Sequence, residues 1–203
     1  MANKNNYKQP YIKAKEEEKK RKRFEENRKI LLTITLIFVI SLFACFFANW
    51  SHVYNTDYGI EVGVNAWQYL IALMTWNFKG TGALYGDIAV PFYYYAKELT
   101  MVLSFVTAGT FLVLLATTVV TIINFFKHSR KIEIANVVLL YVLSLMFIAC
   151  IVVAFTMSGS RILPVYCSGN PKCSIGTLAF FPLVITLIPA IAHTIFFKKN
   201  PLE

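Results

Sequence analysis

The residues best placed to do chemistry are two cysteines, Cys167 and Cys173, in a polar stretch between apolar runs. Between them stands Ser-Gly-Asn-Pro-Lys, a sequence that favours a tight turn. Outside the reducing cytoplasm such a pair can close a disulfide, and we predict one between Cys167 and Cys173. The other two cysteines, Cys45 and Cys150, lie inside apolar runs, where thiols are usually inert.

Redox chemistry is the alternative for the same pair, because some four-span membrane enzymes pass electrons from thiols to quinone. Such enzymes carry a Cys-x-x-Cys motif and a second cysteine pair on the same side, and this sequence has neither. A structural disulfide is therefore the main prediction, and a thiol–quinone enzyme stays open as an alternative.

The remaining titratable residues form no recognised catalytic or ligand pattern. His193 is the only histidine in an apolar run, and we expect it to reach headgroups or a neighbouring carbonyl rather than to relay protons. The sequence has no serine–histidine pair, no phosphate loop and no zinc motif. We therefore predict that the protein is not an enzyme and has no catalytic residue, cofactor or metal. Four polar loop residues lack metal-ligand spacing: His52, Asp57, Glu61 and Asp87.

Composition places these residues in a membrane protein. The 203 residues are 57% hydrophobic, with a mean hydropathy of +0.55, which is far above soluble domains. A span needs roughly 20 apolar residues. Four segments without Asp, Glu, Lys or Arg meet that length and predict an all-α, four-helix membrane bundle: 30–50, 99–126, 134–157 and 175–197.

The distribution of Lys and Arg predicts the orientation of the spans. Sixteen of these residues lie in residues 1–29, in the turn after the second span, and in the tail 198–203. Only four lie in the two opposite loops, 51–98 and 158–174. Because positive flanking segments resist translocation, we expect both termini in the cytoplasm and the chain in the cell membrane. The charge of +9 thus indicates a lipid surface rather than nucleic acid.

The charged segment before the first span also has the composition of a helix. Residues 13–29 contain strong helix formers, with Glu and Lys or Arg repeatedly four residues apart. They lack an apolar stripe, since Phe24 is their only large apolar residue. We predict that residues 1–29 are partly helical and continue the first span into the cytoplasm.

The first outer loop is long enough to contain a structural element. Apolar residues recur at helical spacing between 64 and 78, which predicts a short interfacial helix that lies on the membrane or caps the bundle. Aromatic anchors are common at protein interfaces. The candidate partner-contact surface comprises the apolar face of this helix and two tyrosines before the second span: Trp67, Leu70, Ile71, Met74, Phe78, Tyr93 and Tyr94.

The plan of four spans with a large first outer loop resembles claudin-like tetraspans, and the resemblance covers topology alone. The tryptophan and paired cysteines of their first loop are not matched, because the outer cysteines here lie in the second loop. We expect an accessory or assembly subunit that binds another membrane or extracellular protein through its outer loops. A transporter or channel subunit for a neutral or apolar solute is the first alternative.

Overall fold

The computed structural model describes residues 8–55, 60–76, 97–127, 129–159, 171–175 and 180–199. The helices in these residues are α1 Lys8–Cys45, α2 Ala66–Met74, α3 Lys97–Phe126, α4 Arg130–Gly159 and α5 Phe181–Lys199. The strands are β1 Asn49–Asn55, β2 Ile60–Asn65 and β3 Pro171–Ile175. Every helix except α2 is long and apolar enough to cross a membrane. The prediction of four spans is therefore confirmed.

The four long helices form a bundle in which α1 and α4 each contact both α3 and α5. Buried side chains recur every three or four residues on the inner faces, largely apolar in α1 and α4 and largely polar in α3. Large apolar residues such as Leu112 and Leu145 lie on the outer faces and are exposed, as expected where lipid is the solvent. The core contains Val39, Leu42, Leu103, Leu114, Leu140, Leu143 and Phe147.

Two of the spans are shorter than the sequence predicts, because their ends form other structure. Helix α1 ends at Cys45 rather than at 50, and tight backbone bonds from Phe46 to Phe43 and from Ala48 to Cys45 end it. The alternating β-forming residues that follow make strand β1. Helix α5 starts at Phe181 rather than at 175, because 171–175 belongs to β3.

The strands form one antiparallel sheet in the order β2-β1-β3, an element that the predicted all-α class did not include. The central strand β1 pairs Val53 with Val62 of β2 on one side and with Cys173 of β3 on the other. Strands β1 and β2 come from the first long connection and β3 from the second. The helical class thus holds for the spans, while the two connections fold together as a sheet.

Helix α2 is the short helix predicted in the first loop, and its start is fixed by a capping box. The Asn65 side chain accepts from the Gln68 backbone N–H at 3.0 Å, and the Asn65 N–H donates to Gln68 Oε1 at 2.8 Å. The helix ends at Met74, earlier than the predicted Phe78, because Thr75 caps it. Phe78 lies outside the described residues.

Helix α1 continues well past the apolar segment, as predicted for the charged residues that precede it. Its 38 residues correspond to a length of about 57 Å at the usual rise per residue. The side chains of 13–23 are exposed, and Phe24 stacks on Phe196 of α5 with ring centroids 5.1 Å apart. Residues 13–23 therefore form a solvated charged arm whose base is held against the bundle.

Candidate functional site

Two candidate regions lie at opposite ends of the bundle. We call the end with α2 and the three strands the sheet end. The other end, where the charged arm of α1 meets the turn between α3 and α4, is the charged end.

At the sheet end, the predicted contact surface divides between the core and the exterior. Leu70 is only 8% exposed and belongs to the core, and Trp67 packs against that core. Ile71 and Met74 are exposed, Met74 to 86%. The buried face of α2 is instead formed by Ala66, Tyr69, Leu70 and Ala72. Phe78, Tyr93 and Tyr94 lie outside the described residues.

An aromatic cluster fastens α2 to the bundle. The Trp67 ring lies 5.4 Å from Phe111 of α3 and 5.9 Å from Phe46 at the end of α1, in tilted and edge-on orientations. The Trp67 backbone N–H also donates to the Phe46 carbonyl. Tyr69, with 1% exposure, is the largest fully buried side chain among the described residues. Helix α2 therefore packs against the bundle at this end.

The predicted disulfide falls only partly within the described residues. Cys173 lies in β3, where its backbone is paired with Val53 of β1. Cys167 lies outside the described residues, so the disulfide stays a prediction.

At the charged end, a buried ion pair joins three helices. Arg28 of α1 donates through Nε to the Glu133 carboxylate of α4, and Glu133 is only 2% exposed. Arg28 Nη2 donates to the Asn124 carbonyl of α3 at 2.6 Å and to its side-chain Oδ1 at 2.9 Å. The planar guanidinium can serve a carboxylate and a carbonyl at once, which lysine cannot do with the same geometry.

His193 brings the fourth helix into the same polar region. Its Nε2 lies 2.9 Å from Thr35 Oγ1 of α1, and the ring is 3% exposed. The Thr35 hydroxyl also contacts the Leu31 carbonyl of its own helix at 2.8 Å. His193 thus contacts a threonine hydroxyl rather than the headgroup or carbonyl expected from the sequence.

Further hydrogen bonds between helices continue from this end toward the middle of the bundle. Thr121 contacts Asn136 at 2.8 Å, and Ser144 contacts Thr186 at 3.0 Å. Helix α3 presents one buried face of small polar residues: Ser104, Thr107, Thr110, Thr117, Thr121 and Asn124. Most of these hydroxyls bond a carbonyl one turn earlier in their own helix, which lets them pack in an apolar interior.

Sequence reasoning missed this network because it read charges by segment. By sequence, Arg28 belongs to the cytoplasmic charged segment, and Glu133 precedes the third span predicted from residue 134. Glu133 lies in the first turn of α4, where the helix dipole favours an acid, so nothing local marks it as the partner of Arg28.

The polar groups of the charged end join the helices to one another. Within the described residues, no group of three His, Cys, Asp or Glu side chains could hold a metal ion. Toward the middle of the bundle, buried Thr117 and Thr110 of α3 lie on either side of Leu114, so hydroxyl and leucine side chains share the interior there.

No family model, curated protein or solved structure matches this chain. The resemblance to claudin-like tetraspans therefore remains one of topology alone. The two ends of the bundle are the candidate functional regions.

Proposed function

We propose that this chain is a non-enzymatic four-span subunit of a membrane complex that binds another membrane or extracellular protein through its sheet end. Both termini are then cytoplasmic and the sheet end faces outward. One observation carries the proposal: the two connections at this end pair as a single sheet, β2-β1-β3, instead of forming separate loops. Ordering these strands costs conformational entropy, and the ordered sheet presents strand edges at which a partner can pair.

The sheet β2-β1-β3 could bind a partner protein by strand pairing at its edge. The outer strands of a sheet carry backbone N–H and C=O groups along one side, and a partner strand can pair with them. Strand β3 begins with Pro171, which has no N–H and so weakens its edge. Strand β2 contains no proline and runs directly into α2 through the Asn65 capping box. We therefore assign the partner contact to the edge of β2.

Helix α2 holds that edge in place. Trp67, the second residue of α2, packs on Phe46 and Phe111, so β2 is fastened to α1 and α3 within a few residues of its end. A strand presented in a fixed position loses less conformational freedom on binding than a loose one. The predicted Cys167–Cys173 disulfide would hold the opposite strand in the same way.

The transporter alternative has one observation in its favour, the buried polar cluster around Arg28 and Glu133. Against it, the polar groups of this cluster are engaged in hydrogen bonds between helices. A thiol–quinone enzyme has less support, because the sequence offers Cys167 and Cys173 no Cys-x-x-Cys motif and no second pair on the same side, and Cys150 lies inside the bundle in contact with Thr110.

The test is affinity purification of the tagged chain from its native membrane, with proline placed singly at Val62 and at Gly63 of β2. Neighbouring residues of an edge strand point their N–H groups in opposite directions. One proline therefore breaks the pairing with β1, while the other changes only the outer edge.

The variant that keeps the wild-type melting temperature is the edge variant. We expect wild type to retain a stoichiometric protein partner and the edge variant to lose it. A partner retained by the edge variant, or wild type purified as a lone monodisperse protein, would contradict the proposal. Solute uptake by the lone protein in vesicles would favour the transporter instead.

A further inference from the structure

Helix α2 ends in an unusual way. Thr75 closes the helix, and its N–H donates to the Ile71 carbonyl at 2.9 Å. The next residue, Trp76, has a φ of 52°, and its N–H donates to the Leu73 carbonyl at 3.1 Å. This is the position after a helix where glycine usually stands, because a side chain is strained at positive φ. Here it holds tryptophan, the bulkiest residue.

The strained turn determines where the indole lies. Trp76 packs edge-on against Phe105 of α3, with ring centroids 6.2 Å apart. Phe105 lies in the apolar part of α3 that is long enough to span a membrane, and it faces outward with about half of its surface exposed. Trp76 therefore lies beside a residue that lipid must cover.

The outward side of α2 continues this surface. Ile71, Met74 and Trp76 are all exposed, while Tyr69 and Ala72 on the other side are buried against the bundle. Val102, one turn before Phe105 on α3, is exposed as well. The apolar surface thus runs without interruption from the lipid-facing side of α3 onto α2. A contiguous surface of large apolar side chains is rarely left exposed to water.

We infer that the outward side of α2, formed by Ile71, Met74 and Trp76, rests in the interfacial layer of the membrane, with Trp76 as its anchor. Tryptophan prefers this layer because its ring is apolar and its N–H is polar. One side of α2 then meets the bundle and the other side meets lipid. Lipid and a protein partner cannot both cover Ile71 and Met74. The proposed protein partner is then left with the edge of β2 as its contact.

Fluorescence quenching in phosphatidylcholine vesicles tests this assignment. The chain has three tryptophans, so single-tryptophan forms are made by changing the other two to phenylalanine. The form that retains Trp76 is compared with the form that retains Trp67, which is packed among Phe46, Phe47 and Phe111. Each is reconstituted with lipids brominated either near the headgroup or near the end of the acyl chain.

We expect lipid brominated near the headgroup to cause the largest loss of Trp76 emission, and a smaller loss for Trp67. Loss of Trp76 emission to iodide in the water phase, with none to brominated lipid, would overturn the inference. Protection of Trp76 from both quenchers would also overturn it, since protein must then cover the indole.

A second variant separates anchoring from folding. Trp76→Gly relieves the strain at positive φ, so we expect its melting temperature in detergent to equal or exceed that of wild type. When the protein carries a label near residue 71 and is reconstituted in vesicles, the label in Trp76→Gly should lie closer to water than the same label in wild type. A label that stays in place would contradict the anchoring role. Neither experiment needs the partner, so failure here leaves the β2 proposal standing.

Discussion

The two ends of the bundle are held together by different chemistry. At the charged end, Arg28, Glu133 and Asn124 join three helices through buried hydrogen bonds, and His193 adds the fourth. At the sheet end, Trp67 packs among aromatic rings, and the sheet closes by backbone pairing. One end depends on a few directional bonds, and the other on contact area.

Both ends need contacts besides the hydrophobic effect. Within lipid the hydrophobic effect does not hold helices together, because lipid tails are as apolar as the core. Helices then need close packing or polar bonds to fix their rotation and depth. The charged end has polar bonds, while near the sheet end Trp67 packs on Phe111, inside the apolar part of α3. The same protein therefore uses position-specific polar bonds at one end and close aromatic packing at the other.

The largest effect should come from removing one partner of the buried ion pair. Arg28→Ala leaves the Glu133 carboxylate without its cation in a buried place, so we expect a loss of about 3–5 kcal/mol in the free energy of unfolding. Unfolding in mild detergent, followed by circular dichroism, measures it. The double variant Arg28→Met/Glu133→Leu removes both charges and should recover most of the loss. If the double variant is as unstable as Arg28→Ala, the pair is not what limits stability.

At the sheet end we expect a smaller and more local effect. Trp67→Ala removes a partly buried ring from the cluster with Phe46 and Phe111, and should cost about 2–3 kcal/mol, below the value for a fully buried tryptophan. Hydrogen exchange should rise in residues 66–74 and stay unchanged around Arg28. Trp67→Phe is the matched control and should keep most of the protection. If Trp67→Ala raised hydrogen exchange equally at both ends, the two regions would not be independent of one another.

The spans could be predicted from the sequence because length and the absence of charge suffice to identify them. The start of α2 also lies close to the predicted residue 64, because the apolar periodicity begins there, and the structure adds the Asn65–Gln68 capping box. Charge counting failed for Glu133, because its partner Arg28 lies 105 residues away in the chain. No local pattern reports a contact of that kind.

The sheet was missed for a related reason. Strand β1 pairs with β3, more than a hundred residues further along, so neither strand shows its partner in its own sequence. The face of α2 was misjudged because all its large apolar residues were assigned to one side. The bundle instead takes Tyr69 with the small Ala66 and Ala72, and leaves Met74 outside. Close packing, rather than hydrophobicity alone, decides which side is buried.

A substitution of Asn136 should raise the free energy of unfolding, in contrast to Arg28→Ala and Trp67→Ala. Asn136 is a polar residue of the charged end, and only part of its amide is hydrogen-bonded. Thr121 contacts its Oδ1, while its Nδ2 is buried with no hydrogen-bond partner among the described residues. Asn136→Leu removes that buried donor, and Thr121 keeps its bond to the Thr117 carbonyl. We expect a gain of about 1 kcal/mol in the free energy of unfolding. Asn136→Ala is the control for lost volume, and destabilisation by Asn136→Leu would show that the amide is fully satisfied.

The smallest effect is expected at an ion pair that shares α1 with Arg28 but lies in water. Lys22 Nζ is 2.7 Å from Glu18, closer than many structural pairs, yet both side chains are more than 60% exposed. Water already solvates both charges, and salt screens their attraction, so a short distance gives little stability there. Glu18→Gln should leave the melting temperature unchanged in low and in high salt. Glu18→Gln and Glu133→Gln make the same chemical change, one on an exposed side chain and one on a buried side chain. A difference between their melting temperatures is therefore due to burial. A melting temperature as low for Glu18→Gln as for Glu133→Gln would mean that the charged arm is folded against something that the bundle alone does not provide.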